Sequence, residues 1–201
     1  MTSAFDRIDE LCAQLWMGKQ EPMPQTFQVA RNSHPMHTFA GKPEGGLWTS
    51  TWDEQAQTAE WLDWLRSEKP GWLEPLQGWL LIPQHDASVY VIDGVADLQR
   101  CISAYPRQDA AMRQFLDEHP TLRSWMLARE IDHEAIHAAG YVGFHLTSAG
   151  QHRTRHSQPD LYGWDVECTV WYEWAFADVR PVDAAIIHAV LPANDEGEAN
   201  A

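Results

Sequence analysis

Short strand-like stretches rich in apolar, β-branched and aromatic residues, with no repeating strand-helix unit, set the limits on how this chain can fold. They occur at residues 47–52, 78–82 and 88–92, and again at 141–146, 166–172 and 177–182, with helical spacing between the two groups. Such composition suits an extended backbone. Strands that are separated by helices early and cluster late indicate an α+β domain on a mixed or antiparallel sheet, and they exclude regular βαβ winding. No glycine-rich phosphate loop of either familiar spacing is present, so a Rossmann or P-loop route to nucleotide binding is excluded too.

Helices are expected at residues 3–17 and 56–68. In the first, Phe5, Ile8, Leu11, Leu15 and Trp16 recur near helical spacing behind Ser3 as a cap; in the second, Trp61, Leu62 and Leu65 do so before Pro70-Gly71 ends the run. Two more fall in 95–104 and parts of 110–128. A short strand at 26–31 alternates Phe27, Val29 and Arg31, which sets a charge at the edge of the core. Residues 32–46, rich in Asn, Ser, Pro, His and Gly, form a loop that closes on Gly45-Gly46. With 201 residues, 44% of them hydrophobic and 11 of them Trp, the chain has material for one core. Residues 1–192 are read as a single domain and 193–201 as a small, acidic, disordered tail.

Lys and Arg number 14 against 29 Asp and Glu, a formal net charge of −15. Such a surface repels a phosphate backbone, so extended nucleic-acid binding is not expected. A local exception is His152, Arg153, Arg155 and His156, which suit either a solvated loop or a ligand phosphate. Cys12, Cys101 and Cys168 form no CxxC pair and are odd in number, which fits free thiols in a reducing compartment. Asp6, Arg7, Asp9 and Glu10 interrupt the N-terminal segment, and no apolar run reaches membrane-spanning length. The expectation is a cytoplasmic protein with no signal segment and no membrane partner.

Two constellations carry chemistry. His133-Glu134-Ala135-Ile136-His137 matches H-E-x-x-H, in which histidines at i and i+4 share a helical face and can hold zinc while the Glu acts as base. Its surroundings do not complete a site: Gly143 stands where a metzincin would place its third His, and His145 misses that position by two. Asp132 as an N-cap and Gly140 as a stop describe an ordinary short helix instead, so no metal is expected.

The second constellation is Arg31, Thr49-Ser50-Thr51 and Asp165-Val166-Glu167, three polar sets on separate extended segments. With Lys42-Pro43-Glu44-Gly45-Gly46-Leu47-Trp48 and Tyr162-Gly163-Trp164-Asp165, they resemble the ADP-ribosyltransferase superfamily of R-S-E type, and look like its phage and bacterial members. The resemblance covers residues 26–182 by order of elements and implies mixed or antiparallel sheets with flanking helices. It implies NAD as co-substrate, and transfer of ADP-ribose to an acceptor that could be a protein. Cleavage of nicotinamide from NAD passes through an oxocarbenium-like ribose, so a fixed carboxylate beside the sugar stabilises charge present mainly in the transition state. By this resemblance Glu167 is that carboxylate. Ser50 positions it, Arg31 grips a phosphate or ribose through its planar fork, and Gly46, Trp48, Thr49, Tyr162 and Asp165 line the NAD site. The late motif is Asp-x-Glu, where arginine-modifying relatives carry Glu-x-Glu, so the acceptor is not assigned. The alternatives are a zinc hydrolase using His133, His137 and Glu134, and a binding protein of the same fold without catalysis.

Overall fold

A strand that serves two wings of one sheet organises this protein. The structure is a computed structural model that describes residues 12–35, 41–127 and 130–189. Its strands are β1 (Gln14–Gly18), β2 (Leu47–Thr51), β3 (Gln77–Pro83), β4 (Val89–Ile92), β5 (Gly143–Leu146), β6 (Cys168–Trp171) and β7 (Phe176–Pro181). They join in the order β4-β5-β6-β2-β1-β3-β7. β4 and β5 are parallel, and the other neighbours are antiparallel. β2 divides its two ends between its partners: Leu47, Trp48 and Thr49 pair with β6, whereas Ser50 and Thr51 pair with β1.

Parallel neighbours need a long crossover. Between β4 and β5 the chain forms α2 (Val95–Ala104), α3 (Ala110–Glu118), α4 (Arg123–Leu127) and α5 (His133–Ala138). Asp109 and Asp132 cap α3 and α5 by accepting from Met112 N–H and Ala135 N–H, so side chains satisfy helix donors that have no partner of their own. Three further helices, α1 (Glu60–Glu68), α6 (Ser148–Thr154) and α7 (Ala184–Ile187), flank the wings.

The two ends of the sheet curl toward each other. Val89 of β4 and Trp171 of β6 share a buried cluster with Trp79 and Leu81 of β3 and Phe176 of β7. The opposite face of the β4-β5-β6 wing packs Ile92, Phe144, Leu146 and Val170 against Leu98, Cys101 and Ile136 of α2 and α5. Leu15 of β1 meets Leu62 and Leu65 of α1 and Ile187 of α7. The result is an α+β fold with a mixed sheet, as the order of strands implies.

Three expectations are corrected. Gln14–Gly18 is a strand and not the end of a helix over 3–17, because both its edges are taken by β2 and β3; residues 3–11 of that expectation lie outside the described residues. Residues 26–31 do not form a strand: a single 3-10 turn ends at Thr26, and Arg31 makes one isolated bridge to Glu44. His152 and Arg153 lie on α6 and not in a loop, with Arg155 at its C-terminal end. The expected tail at 193–201 lies outside the described residues.

A buried ionic knot ties the segment after Arg31 to the helices. Arg107, only 3% exposed, donates to Asp109 (2.6 Å), to Glu130 (2.9 Å) and to the Ser33 carbonyl. Asn32 donates to Asp132 (2.8 Å) and accepts from His133 N–H (2.9 Å). Removing one partner of a buried pair leaves a charge without compensation, which costs about 3–5 kcal/mol. Arg107→Ala is therefore expected to lower unfolding free energy by about that much in urea titrations, and a loss below about 1 kcal/mol would show that the knot is not structural.

Candidate functional site

Where β2 passes from one wing to the other, its backbone ladder is broken, and carboxylates replace the missing partners. Trp52 N–H donates to Ala13 O of the β1 side (2.8 Å), so Thr51 N–H, one residue earlier, points toward the opposite edge. The register of β2 with β6, Thr49 opposite Thr169, sets Glu167 opposite Thr51. Glu167 does not extend the strand pairing. Its carboxylate accepts from Thr51 N–H (2.9 Å), Thr51 Oγ1 (2.8 Å) and Ser50 Oγ (2.6 Å). Its own N–H donates to the carboxylate of Glu60 at the start of α1 (3.0 Å).

Each donor has a fixed direction. Trp171 Nε1 donates to Thr49 Oγ1 (2.9 Å), which donates to Gln14 Oε1 (2.8 Å); Gln14 Nε2 donates to Thr51 Oγ1 (3.2 Å), which donates to Glu167. Ser50 Oγ also accepts from Trp61 N–H (3.3 Å), a donor left over at the first turn of α1. Thr49, Ser50 and Glu167 are all buried. Burial is the largest influence on Glu167 and pushes its carboxyl above the ordinary range; the Glu60 charge adds to that, and the hydrogen bonds from Ser50 and Thr51 oppose it. His145 Nδ1 lies 2.8 Å from Thr169 Oγ1 and 3.5 Å from Glu167, and burial holds this ring down to about 4.

Beside the break lies an aromatic cleft of about 330 Å³. Thr49, Val166 and Cys168, the immediate neighbours of Ser50 and Glu167, line it. So do Trp16, Trp48, Trp61 and Trp164, with Gly46, Lys42 and Asp165 at the rim. The rings of Trp48 and Trp164 are 5.0 Å apart and tilted by 54°. Such a surface suits a flat ligand.

The structure brings together Ser50, Glu167, Gly46, Trp48, Thr49 and Asp165 of the expected set. It sets Arg31 apart: its side chain is exposed, its backbone pairs with Glu44, and it neither lines the cleft nor bonds to Ser50 or Glu167. An exposed bridge position, rather than a strand beside β2, is the cause. Tyr162 is 58% exposed and packs against Arg155 and His156, away from the cleft wall. Gly45 and Gly46 have φ of 74° and 71°, and a Cβ there would come within 2.9 Å of Val29 O and 2.8 Å of Trp171 O. The pair serves close backbone packing first, and Gly46 alone lines the cleft. Sequence reasoning missed Gln14, which requires β1 to be a strand, and Trp61, whose N–H and ring both face the site.

In the H-E-x-x-H segment the two histidines turn to separate partners. Buried His133 contacts the Gly41 carbonyl through Nε2 (2.6 Å) and Tyr172 Oη through Nδ1 (2.7 Å). A carbonyl only accepts, so Nε2 carries the proton and Tyr172 donates to Nδ1. Both nitrogens are then occupied. His137 turns to Glu173 (3.1 Å) and Glu134 is exposed. Among the described residues no group of three His, Cys, Asp or Glu is placed to hold a metal ion. Cys12, Cys101 and Cys168 are free thiols. No helix among the described residues is long and apolar enough to cross a membrane.

No family model, no curated protein and no solved structure matches this chain.

Burial lowers His133 from 6.5 to about 4. A depressed folded-state value means that the unfolded chain takes up the proton first. The stability this group contributes is therefore complete above 6.5 and is lost as pH falls toward 4, by roughly 3 kcal/mol. His145 acts in the same window and direction, whereas the raised Glu167 partly offsets both. His133→Gln should reduce the acid slope of unfolding free energy between pH 6.5 and 4; an unchanged slope would show that His133 is not held neutral.

Proposed function

We propose that this protein is an NAD-consuming mono-ADP-ribosyltransferase built on an ADP-ribosyltransferase-like sheet, with the cleft beside Ser50 and Glu167 as its nicotinamide-ribose site. The observation that carries this reading is the 2.6 Å hydrogen bond between Ser50 and Glu167, residues 117 positions apart, whose chain neighbours Thr49, Val166 and Cys168 line a cleft walled by tryptophans. The order of the two residues along the chain, Ser50 on an early strand and Glu167 immediately before a late one, supports it for the serine and the glutamate. Arg31 has no part in it.

Ser50 and Thr51 donate to both oxygens of the Glu167 carboxylate, and the longest of these bonds is one branch of the Thr51 N–H interaction, at 3.2 Å. A ribose hydroxyl takes the place of that branch. As the C1′–N bond breaks, the electron pair leaves with nicotinamide and positive charge develops on the ribose. Glu167 stabilises that charge through the hydroxyl, and more strongly in the transition state than in the ground state. Ser50 holds the carboxylate on target. Trp48, Trp61 and Trp164 keep water from the cation until an acceptor nucleophile bonds to C1′ and loses its proton. The acceptor is not defined by these residues.

Incubation with NAD is expected to release nicotinamide, and Glu167→Gln to lower that rate by at least about 100-fold, measured well below a melting temperature that the loss of an acceptor oxygen facing Ser50 and Thr51 also lowers. Equal rates for the two proteins would overturn the assignment. The internal donors already bound to Glu167 favour a second reading, in which the same cleft binds its ligand without turnover. Saturable NAD binding with no nicotinamide release would establish that one.

A further inference from the structure

The cleft contains a cation that the R-S-E pattern does not supply. Among the described residues that line it, Lys42 is the only Lys or Arg. Its Nζ lies 5.8 Å from the centre of the Trp48 ring and 4.0 Å from Asp165 Oδ2, with both partners of that pair more than a third exposed. An ion pair this long and this wet holds a lysine only weakly.

The backbone beneath Lys42 is, by contrast, fastened on both sides. His133 donates to the Gly41 carbonyl, and Ser33 Oγ donates to the carbonyl of Lys42 itself (2.7 Å). Ser33 is held in turn by buried Arg107. Two residues further on, Glu44 exchanges both backbone hydrogen bonds with Arg31 (2.8 and 2.9 Å). Gly41 takes a φ of 66° over the Ile131 side chain. Three segments, at 31–33, 107 and 131–133, thus fix where this lysine leaves the backbone, and its ammonium stays free to exchange partners.

Resting on the reading given under Proposed function, we propose that Lys42 is the phosphate-binding residue of the cleft: its ammonium leaves Asp165 to contact the diphosphate of NAD. The carboxylates of Asp165, Glu60 and Glu167 make the surroundings acidic, and the whole chain carries −15. A diphosphate entering such a wall needs a local positive charge, and an ammonium on a flexible stem provides it as a point charge. An adjoining groove of about 520 Å³ shares Trp16 and Gly46 with the cleft, which gives an extended ligand room beyond the aromatic wall. In this arrangement Asp165 is a competitor for the lysine and not a ligand contact.

Titration calorimetry with NAD, ADP-ribose and nicotinamide riboside, the last free of phosphate, tests the proposal. Lys42→Gln should weaken NAD and ADP-ribose at least about tenfold and leave nicotinamide riboside within about twofold, since only phosphate contacts are removed. Lys42→Arg should restore most of the loss. Asp165→Asn should tighten NAD, and the salt dependence of NAD binding should flatten in Lys42→Gln. Equal weakening of all three ligands in Lys42→Gln would mean that the residue only shapes the cleft, and no weakening would mean that it does not touch phosphate; either result overturns this proposal while leaving the site reading intact. A wild-type protein that binds none of the three overturns the site reading, and the role of Lys42 with it.

Discussion

The carboxylate of Glu167 standing where a strand partner should be is the interaction on which the rest of this structure depends. Thr51 N–H is a ladder donor with no backbone acceptor, and a buried donor without a partner is costly. Glu167 supplies the acceptor from its side chain, and Glu60 does the same for Glu167 N–H. Both wings of the sheet can then diverge at this point without leaving polar groups unpaired. The cleft is the space that the divergence opens, which is why its wall contains the neighbours of Ser50 and Glu167.

A second polar system holds the loop that completes the cleft. Arg107, Asn32, Asp132 and His133 do not line the cleft, though the His133 ring stacks 6.5 Å from that of Trp164, and they act on it by fixing residues 31–33 and the Gly41 carbonyl. Arg107 and His133 are deeply buried, so their interactions work in a low dielectric where an unpaired member is expensive. The histidine that begins the H-E-x-x-H segment belongs to this system. It is a neutral ring bridging a tyrosine and a carbonyl, and its pairing with Gly41 connects α5 to the loop that positions Lys42.

The strands at 77–83, 89–92, 143–146, 168–171 and 176–181 were legible as short runs, most of them rich in apolar, β-branched and aromatic residues. The helices at 60–68, 95–104 and 110–118 were legible from the helical spacing of their apolar residues. Gln14–Gly18 was not, because Leu15 and Trp16 fit helical spacing equally well and only the two flanking strands decide between the states. Residues 26–31 failed in the opposite sense: they alternate, but beyond one bridge at Arg31 and one bond from Gly46 N–H to the Gln28 carbonyl no strand among the described residues pairs with them. The Ser and Glu of the site were visible as residues on extended segments, and the Arg was placed with them by analogy alone. Lys42 was visible in the text beside Gly45-Gly46 with nothing to mark it as the cation of the cleft.

By itself, the sequence determined the α+β class, the late strands, the cap at Asp132, and that Ser50 and Glu167 sit on separate extended segments. These follow from periodicity and local backbone chemistry, which act over a few residues. Only the tertiary structure decided that the two meet, that Arg31 stays outside, and that His133 clamps a loop. Those outcomes depend on register across the sheet and on where the β2 ladder breaks, and both are fixed by pairings more than a hundred positions apart, as between Ser50 and Glu167 (117) or Asn32 and His133 (101).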